Sequence, residues 1–257
     1  MPTAMVTGAT AGIGAAFTRH LAAAGYGLVI VARDTQRLVA ARDSLLSFGA
    51  PEVEVITADL TDPGQRAAVV DRLTAAPGVD LLINNAGIGL GRDFLSSAPE
   101  RLLEQIEINV VAPTVLARAA LPGMVARGHG GVINVASIAG LIPGRGTTYA
   151  GSKAYVISLS EGLAMSLAGT GVRVQALCPG FVRTEFHQRA SIDMSKTPGA
   201  LYVDVDDLVA TSLADLRHNR IISVPGALYR VIAVGVRLLP RGAVRNLAAR
   251  VNNRGRT

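Results

Sequence analysis

Residues 4–14 read Ala4-Met5-Val6-Thr7-Gly8-Ala9-Thr10-Ala11-Gly12-Ile13-Gly14, and an Ala-rich segment follows to about residue 24. A short apolar run reads as a buried strand, the glycines as a turn, and the Ala-rich segment as a helix. Glycine lets a backbone pass close to another group, and a helix start offers free N–H groups and partial positive charge, which together suit a phosphate. The spacing is G-x-x-x-G-x-G rather than G-x-G-x-x-G, and on its own such a cluster is often only a tight turn. The rest of the chain decides between these two readings.

Further short β-branched runs lie at 27–31, 53–57, 81–83, 132–135 and 172–177, separated by helix-like segments near 34–48, 62–75, 99–127 and 148–168. Strands that are apolar without alternation belong to a sheet covered on both faces, hence to parallel strands joined by helical crossovers. The fold class is therefore α/β: a single doubly wound domain, a parallel sheet with helices on both faces. The glycine turn stands at its first strand-to-helix junction, where a phosphate-binding role is expected. The catalytic domain is assigned to residues 1–225. It includes a polar, mixed segment at 184–203 that reads as an inserted lid, a helix near 204–217 and a short strand at 221–224. Residues 226–257 form a basic, apolar tail.

Composition narrows the class. Of 257 residues 49% are apolar and 17% charged, which supplies a core and excludes disorder. One cysteine excludes a disulfide framework, and with four scattered histidines it excludes a Cys/His metal cluster, so no metal is expected. The chain opens without a basic and apolar leader, and no unbroken apolar run reaches the ~18 residues of a membrane span. A soluble, cytoplasmic protein is expected, with peripheral membrane contact left open. The net charge of +6 is unevenly placed: nine arginines and no acidic residue follow Asp215, so the last 42 residues carry +9 and the body −3. Nucleic-acid binding is not expected, because aromatic residues are 4% of the chain and no reader motif is present. Only Lys153 and Lys196 are lysines in this arginine-biased chain.

Gly8, Thr10, Gly12, Ile13 and Gly14 are the candidate phosphate cradle. The second strand ends Val31-Ala32-Arg33-Asp34. A carboxylate at that tip accepts from a ribose 2′-hydroxyl and repels a 2′-phosphate, whereas arginine does the reverse. Arg33 therefore favours NADP(H) over NAD(H), with Asp34 free to pair with Arg33 or Arg37. Asp59, at the end of the third strand, is placed to meet an adenine amino group; capping of the next helix falls better to Thr61 or Asp62.

The fourth strand runs into Asn84-Asn85-Ala86-Gly87, the fifth into Asn134-Val135-Ala136-Ser137, and the next helix carries Tyr149-Ala150-Gly151-Ser152-Lys153. Tyrosine and lysine four apart share a helical face. An ammonium beside a phenol favours phenolate and lowers its pKa toward neutrality, where it exchanges protons usefully. A compact ammonium can also bond ribose hydroxyls. Ser137 is placed to hold and polarise a substrate carbonyl.

With these motifs in this order, residues 3–185 closely resemble the short-chain dehydrogenase/reductase family. The resemblance implies a Rossmann-type sheet and a catalytic tetrad at Asn109, Ser137, Tyr149 and Lys153, with Asn109 distorting its long helix and anchoring a relay water. It implies cofactor contacts from Asn85, Ala86 and Gly87 and from Tyr149 and Lys153. Pro179 and Gly180 match the family's Pro-Gly after the sixth strand, with Val182 and Thr184 holding the nicotinamide carboxamide. Cys178 reads as a small buried residue. The implied reaction is hydride transfer between NADPH and a carbonyl, or the reverse oxidation of the alcohol.

The family's usual C-terminal strand and Gly-Gly segment are replaced here by Ile221-Ile222-Ser223-Val224-Pro225-Gly226, which leaves the family tetramer in doubt and a homodimer open. Arg237, Arg241 and Arg245 are four apart and suggest a cationic stripe interrupted by Pro240 and Gly242. Such a tail suits a helix packed on the core or on a second subunit. It also suits an anionic membrane surface or the entrance for an amphipathic substrate. Phe186, Met194, Leu201 and Tyr202 in the lid, beside Arg189 and Lys196, lean toward a mostly apolar carbonyl or alcohol substrate. Two other readings keep the fold: a cofactor-binding protein docked on a membrane or partner with vestigial catalysis, and an epimerase or dehydratase.

Overall fold

The computed structural model describes residues 1–91, 94–142, 147–190, 192–195, 197–240 and 242–244. In chain order the strands are β1 Thr3–Thr7, β2 Gly27–Ala32, β3 Val53–Thr57, β4 Leu81–Asn84, β5 Gly130–Val135, β6 Val172–Leu177, β7 Phe181–Val182, β8 Tyr202–Val203 and β9 Ile222–Ser223. The helices are α1 Gly12–Ala23, α2 Thr35–Ser47, α3 Pro63–Thr74, α4 Pro99–Ile106, α5 Ala112–Arg127, α6 Thr147–Ser166, α7 Glu185–Arg189, α8 Val205–Arg217 and α9 Ala227–Leu238.

Seven strands form one parallel sheet in the order β3-β2-β1-β4-β5-β6-β9. Successive residues of β1 point to opposite faces, so Ala4 and Val6 join the core under α1, α2 and α8, while Met5 joins the core under α3 and α5. Both faces are buried, which is why the strands lack alternation. Strand order reverses between β1 and β4, and this opens a crevice at the carboxyl edge of the sheet, the place where open α/β sheets take ligands. β7 pairs with β8 as a separate two-stranded ribbon that ties the two ends of the lid together.

The expected helix at 99–127 is continuous but not uniformly α. A π-helical turn, Glu107–Val111, separates α4 from α5, and Asn109 sits buried in it. The reading that no unbroken apolar run is as long as a membrane span stands, but Pro99–Arg127 is, by length and a mean hydropathy of 1.4, long and apolar enough to cross a bilayer. Half of that window is buried against the protein, so it is a core helix. α9, the first part of the tail, buries Tyr229 and Ala233 against the domain, so the compositional boundary at 225 is not a break in packing. Arg241, Arg245, Arg250, Arg254 and Arg256, and Lys196 of the lid, lie outside the described residues.

Candidate active site

The crevice is a cleft of about 870 Å³ that runs from the glycine turn to α6. At one end Gly8, Thr10, Gly12 and Ile13 line it. A Cβ on Gly14 would fall 2.2 Å from the Gly8 carbonyl oxygen, and one on Gly12 would fall 2.9 Å from the Thr184 methyl. Gly8 and Gly12 also hold positive φ, at 65° and 52°. α1 begins at this turn with Ala11 as its N-cap, no side-chain cap and no acidic residue in its first turn. Its first N–H groups thus face the cleft without an internal acceptor, a donor set that fits a dinucleotide pyrophosphate. The Thr7 hydroxyl accepts from the N–H groups of Asn85 and Ala86, and the Asn85 amide donates to the carbonyls of Thr7 and Gly8, so β4 is bolted to the turn.

Arg33 and Asp59 both line the cleft and approach each other at 3.5 Å. Burial pushes the Asp59 carboxyl up. Hydrogen bonds from the Thr61 N–H and hydroxyl, at 2.9 and 2.7 Å, and the Arg33 charge outweigh it, leaving the group below the ordinary range. Asp34 pairs with neither guanidinium: its carboxylate caps α2 by accepting from the Arg37 backbone N–H at 3.0 Å. Asp62 caps α3 in the same way.

At the other end β5 delivers Ser137 and α6 delivers Tyr149 and Lys153. The Ser137 hydroxyl is hydrogen-bonded to the Tyr149 phenol and accepts from Ala139 N–H at 3.1 Å, which caps a short 3₁₀ turn. Lys153 Nζ lies 5.7 Å from the Tyr149 ring centre and donates to the Val135 carbonyl at 2.7 Å. One sequence expectation is corrected here: the phenol is not lowered. Burial raises Tyr149 to about 12 against the opposing pull of Ser137, and burial lowers Lys153 to about 8. Desolvation is the largest cause at both groups.

Asn109 stands behind the cleft wall. Its Oδ1 accepts from Ile88 N–H at 3.0 Å, while its Nδ2 donates to the Ile88 carbonyl at 3.0 Å and to the Ser152 hydroxyl at 3.2 Å. Ser152 in turn donates to the Tyr149 carbonyl at 2.7 Å, so the asparagine is joined to the tyrosine helix. A Cβ on Gly87 would fall 2.8 Å from Asn109 Oδ1 and 3.5 Å from Lys153 Nζ, so that position is closed to a side chain. Asn85, Ala86, Gly87, Pro179, Gly180, Val182 and Thr184 all line the cleft. Thr184 accepts from Phe186 N–H at 3.3 Å and caps α7. Gly14 and Asn109 are the two predicted residues that support the lining from behind.

Several contacts around the cleft escaped the sequence reading. Phe186 packs on Tyr149 with ring centres 5.8 Å apart, and His187, held below its usual pKa by burial, meets Phe186 edge-on at 5.5 Å. Arg37 donates to both oxygens of Glu185 at 2.9 and 3.0 Å and to the Thr10 carbonyl at 3.0 Å, which binds lid to glycine turn. Arg66 donates to the Leu60 carbonyl and to Glu107 at 2.7 Å, which fastens the π turn to the loop beside Asp59. These pairs join residues 148 and 41 positions apart, and no local pattern announces them.

Residues 2–195 match the model of the short chain dehydrogenase family. Among curated proteins, the NADP-dependent 3-hydroxy acid dehydrogenase YdfG of Escherichia coli strain K12 is 38% identical over 189 residues, covering 71% of this chain and 73% of that protein. Among solved structures, a short-chain dehydrogenase from Sphingobium yanoikuyae in complex with NADPH superposes with a TM-score of 0.85 at 35% identity, over 97% of this chain and 96% of that one. The bulky-bulky ketone specific alcohol dehydrogenase from Comamonas testosteroni gives 0.81 at 32% identity, over 92% of each chain.

Proposed function

Since this chain belongs to the short-chain dehydrogenase/reductase family, we propose that it is an NADP(H)-dependent oxidoreductase that reduces the carbonyl of a mostly apolar ketone or aldehyde, or oxidises the matching alcohol. The observation that carries this reading is the Ser137–Tyr149–Lys153 cluster at the inner end of a cleft whose outer end is a helix start without a side-chain cap. NADPH, when bound, supplies the hydride. Gly8, Thr10, Gly12 and Ile13 would hold its pyrophosphate, Arg33 its 2′-phosphate, and Val182 and Thr184 its carboxamide end.

The chain's own residues handle the proton and the orientation. Ser137 donates to the substrate oxygen and holds it beside the phenol. Tyr149, whose phenol burial raises to about 12, is protonated at neutral pH and gives up its hydroxyl proton to that oxygen. Lys153, positively charged below about 8, stabilises the phenolate left behind and returns a proton to it. Asn109 fixes the Ile88 loop against α6 and so keeps the cleft wall in register. Ile88, Ile138, Phe186, Ala190 and Ile192 give the reacting end an apolar lining, which supports an apolar substrate. The relatives named for 3-hydroxy acids and for bulky ketones bracket the chemistry without choosing the molecule.

The test is NADPH oxidation against a panel of apolar ketones and aldehydes, with products identified and NADH run beside it. Turnover that prefers NADPH and yields alcohol is expected, with Tyr149→Phe losing most of it while still binding NADPH. Turnover undiminished in that variant, or no reduced product from any carbonyl, overturns the reading.

A further inference from the structure

Helix α9 is apolar on two sides. Its inner side buries Tyr229 and Ala233, and the Tyr229 hydroxyl accepts from Phe181 N–H at 3.1 Å and donates to the Leu201 carbonyl at 2.7 Å. Its outer side carries Leu228, Val231, Val234 and Leu238, between 47% and 79% exposed. At about 100° per residue these four fall on one arc of the helix. Arg230 and Arg237, both exposed, border that arc, and Arg237 approaches Glu161 of α6 at only 3.9 Å. Five more arginines and no acidic residue follow in the sequence.

We propose that α9 docks this enzyme on an anionic membrane surface, with the arginines that follow it in the sequence adding positive charge. Charge selects the occupant. A second copy on this face would bring two extensions of the same strong positive charge together, whereas an anionic lipid surface neutralises them. Shape agrees: the arc is the convex side of one helix, which sinks into a lipid interface without needing a matching pocket. The inner side of the same helix packs beside the cleft: Phe181 and Gly180 line the cleft, and a Cβ on Gly180 would fall 2.1 Å from the Tyr229 ring. The docking itself does not rest on the proposed reaction, since it is measured without any turnover.

The experiment is flotation of the full chain with vesicles of phosphatidylcholine alone and of phosphatidylcholine mixed with phosphatidylglycerol, at low and high salt. Binding confined to the mixed vesicles and released by salt is expected. In Arg230→Gln with Arg237→Gln the partition should fall roughly 10- to 30-fold, at about fivefold per arginine. Val231→Ser with Leu238→Ser should also reduce it, with NADPH binding kept in both double variants as proof of folding. Equal binding to the two vesicle types, or none, overturns the proposal. So does an apolar double variant that turns a dimer into monomers in light scattering while vesicle binding stays unchanged. Should either variant misfold, the lipid and salt dependence of the unaltered chain still decides.

Discussion

Lys153 is 6% exposed, and burial holds its amine near 8 against an ordinary value of 10.5. Its hydrogen bond to the Val135 carbonyl satisfies one of three N–H groups. A lysine in this position serves the site at the expense of the fold. The folded state binds fewer protons than the unfolded chain between about 8 and 10.5, so stability rises with pH through that window and the full penalty is present below it. At neutral pH the penalty is on the order of 3 kcal/mol. Lys153→Met should therefore raise the stability of the cofactor-free protein at pH 7 by up to about that amount. In denaturant titrations the unaltered protein should gain stability from pH 8 to 9.5, and the variant should not. Parallel profiles for the two proteins would show that the ammonium is solvated well enough to stay charged. Cys178, raised by burial from 9.0 to about 12, works in the opposite sense above 9 in both proteins, and Tyr149, raised to about 12, does so above 10, so the difference between the two profiles carries the test.

The glycine turn and the π turn carry the site at the scale of elements, and they differ in what forces them. In the first, Gly14 packs against the Gly8 carbonyl and the Asn85 amide at 2.2 and 2.5 Å from where a Cβ would stand. Neither neighbour is the end of a flexible side chain free to swing away, since Asn85 is itself bonded to Thr7 and Gly8. Gly14→Ala should cost about 1–3 kcal/mol and weaken NADPH binding, measured by melting and fluorescence titration. Gly151→Ala is the matched control: it lies in α6 between the tyrosine and the lysine, a Cβ there meets nothing within 4 Å, and it should stabilise by roughly 0.5–1 kcal/mol. Equal effects at the two sites would refute the packing account. The glycine turn was legible in the sequence because its constraint is local, three glycines between a strand and a helix. The π turn was legible only as an asparagine in a long helix, since what fixes it is remote: Ile88, Ser152 and the Arg66–Glu107 pair. The expectation of a lowered tyrosine failed for a related reason. Spacing in sequence places an amine one turn from a phenol, but desolvation depends on everything packed around both.

Across the whole molecule, the segments that enclose the cofactor come from distant parts of the chain, and one ion pair closes the ring. Arg37, near the start of α2, reaches Glu185 of the lid and Thr10 of the glycine turn together, and Glu185 also pairs with Arg189 within α7. The glycine turn, the end of β2 and the lid all line the cleft, so the clasp joins segments that would hold a dinucleotide there. Mutual attraction holds both groups in their charged forms: Arg37 is raised, chiefly by its hydrogen bonds to Glu185, and Glu185 is lowered, chiefly by those from Arg37. Both side chains are partly exposed, at 36% and 44%, so solvent screens the pair and its contribution to global stability is small. Its effect belongs to opening. Lid motion that frees the cofactor must break this contact while leaving the sheet intact, and product release limits many enzymes of this kind. Glu185→Gln keeps the shape and removes the charge. NADP⁺ should then leave roughly two- to fivefold faster in stopped-flow displacement, the size of effect expected for a screened pair, with melting temperature nearly unchanged. High salt should narrow the gap between variant and parent. If the release rate is the same in both proteins at low salt, the clasp opens without resistance, and the lid is held instead by Phe186 on Tyr149 and by the β7–β8 ribbon.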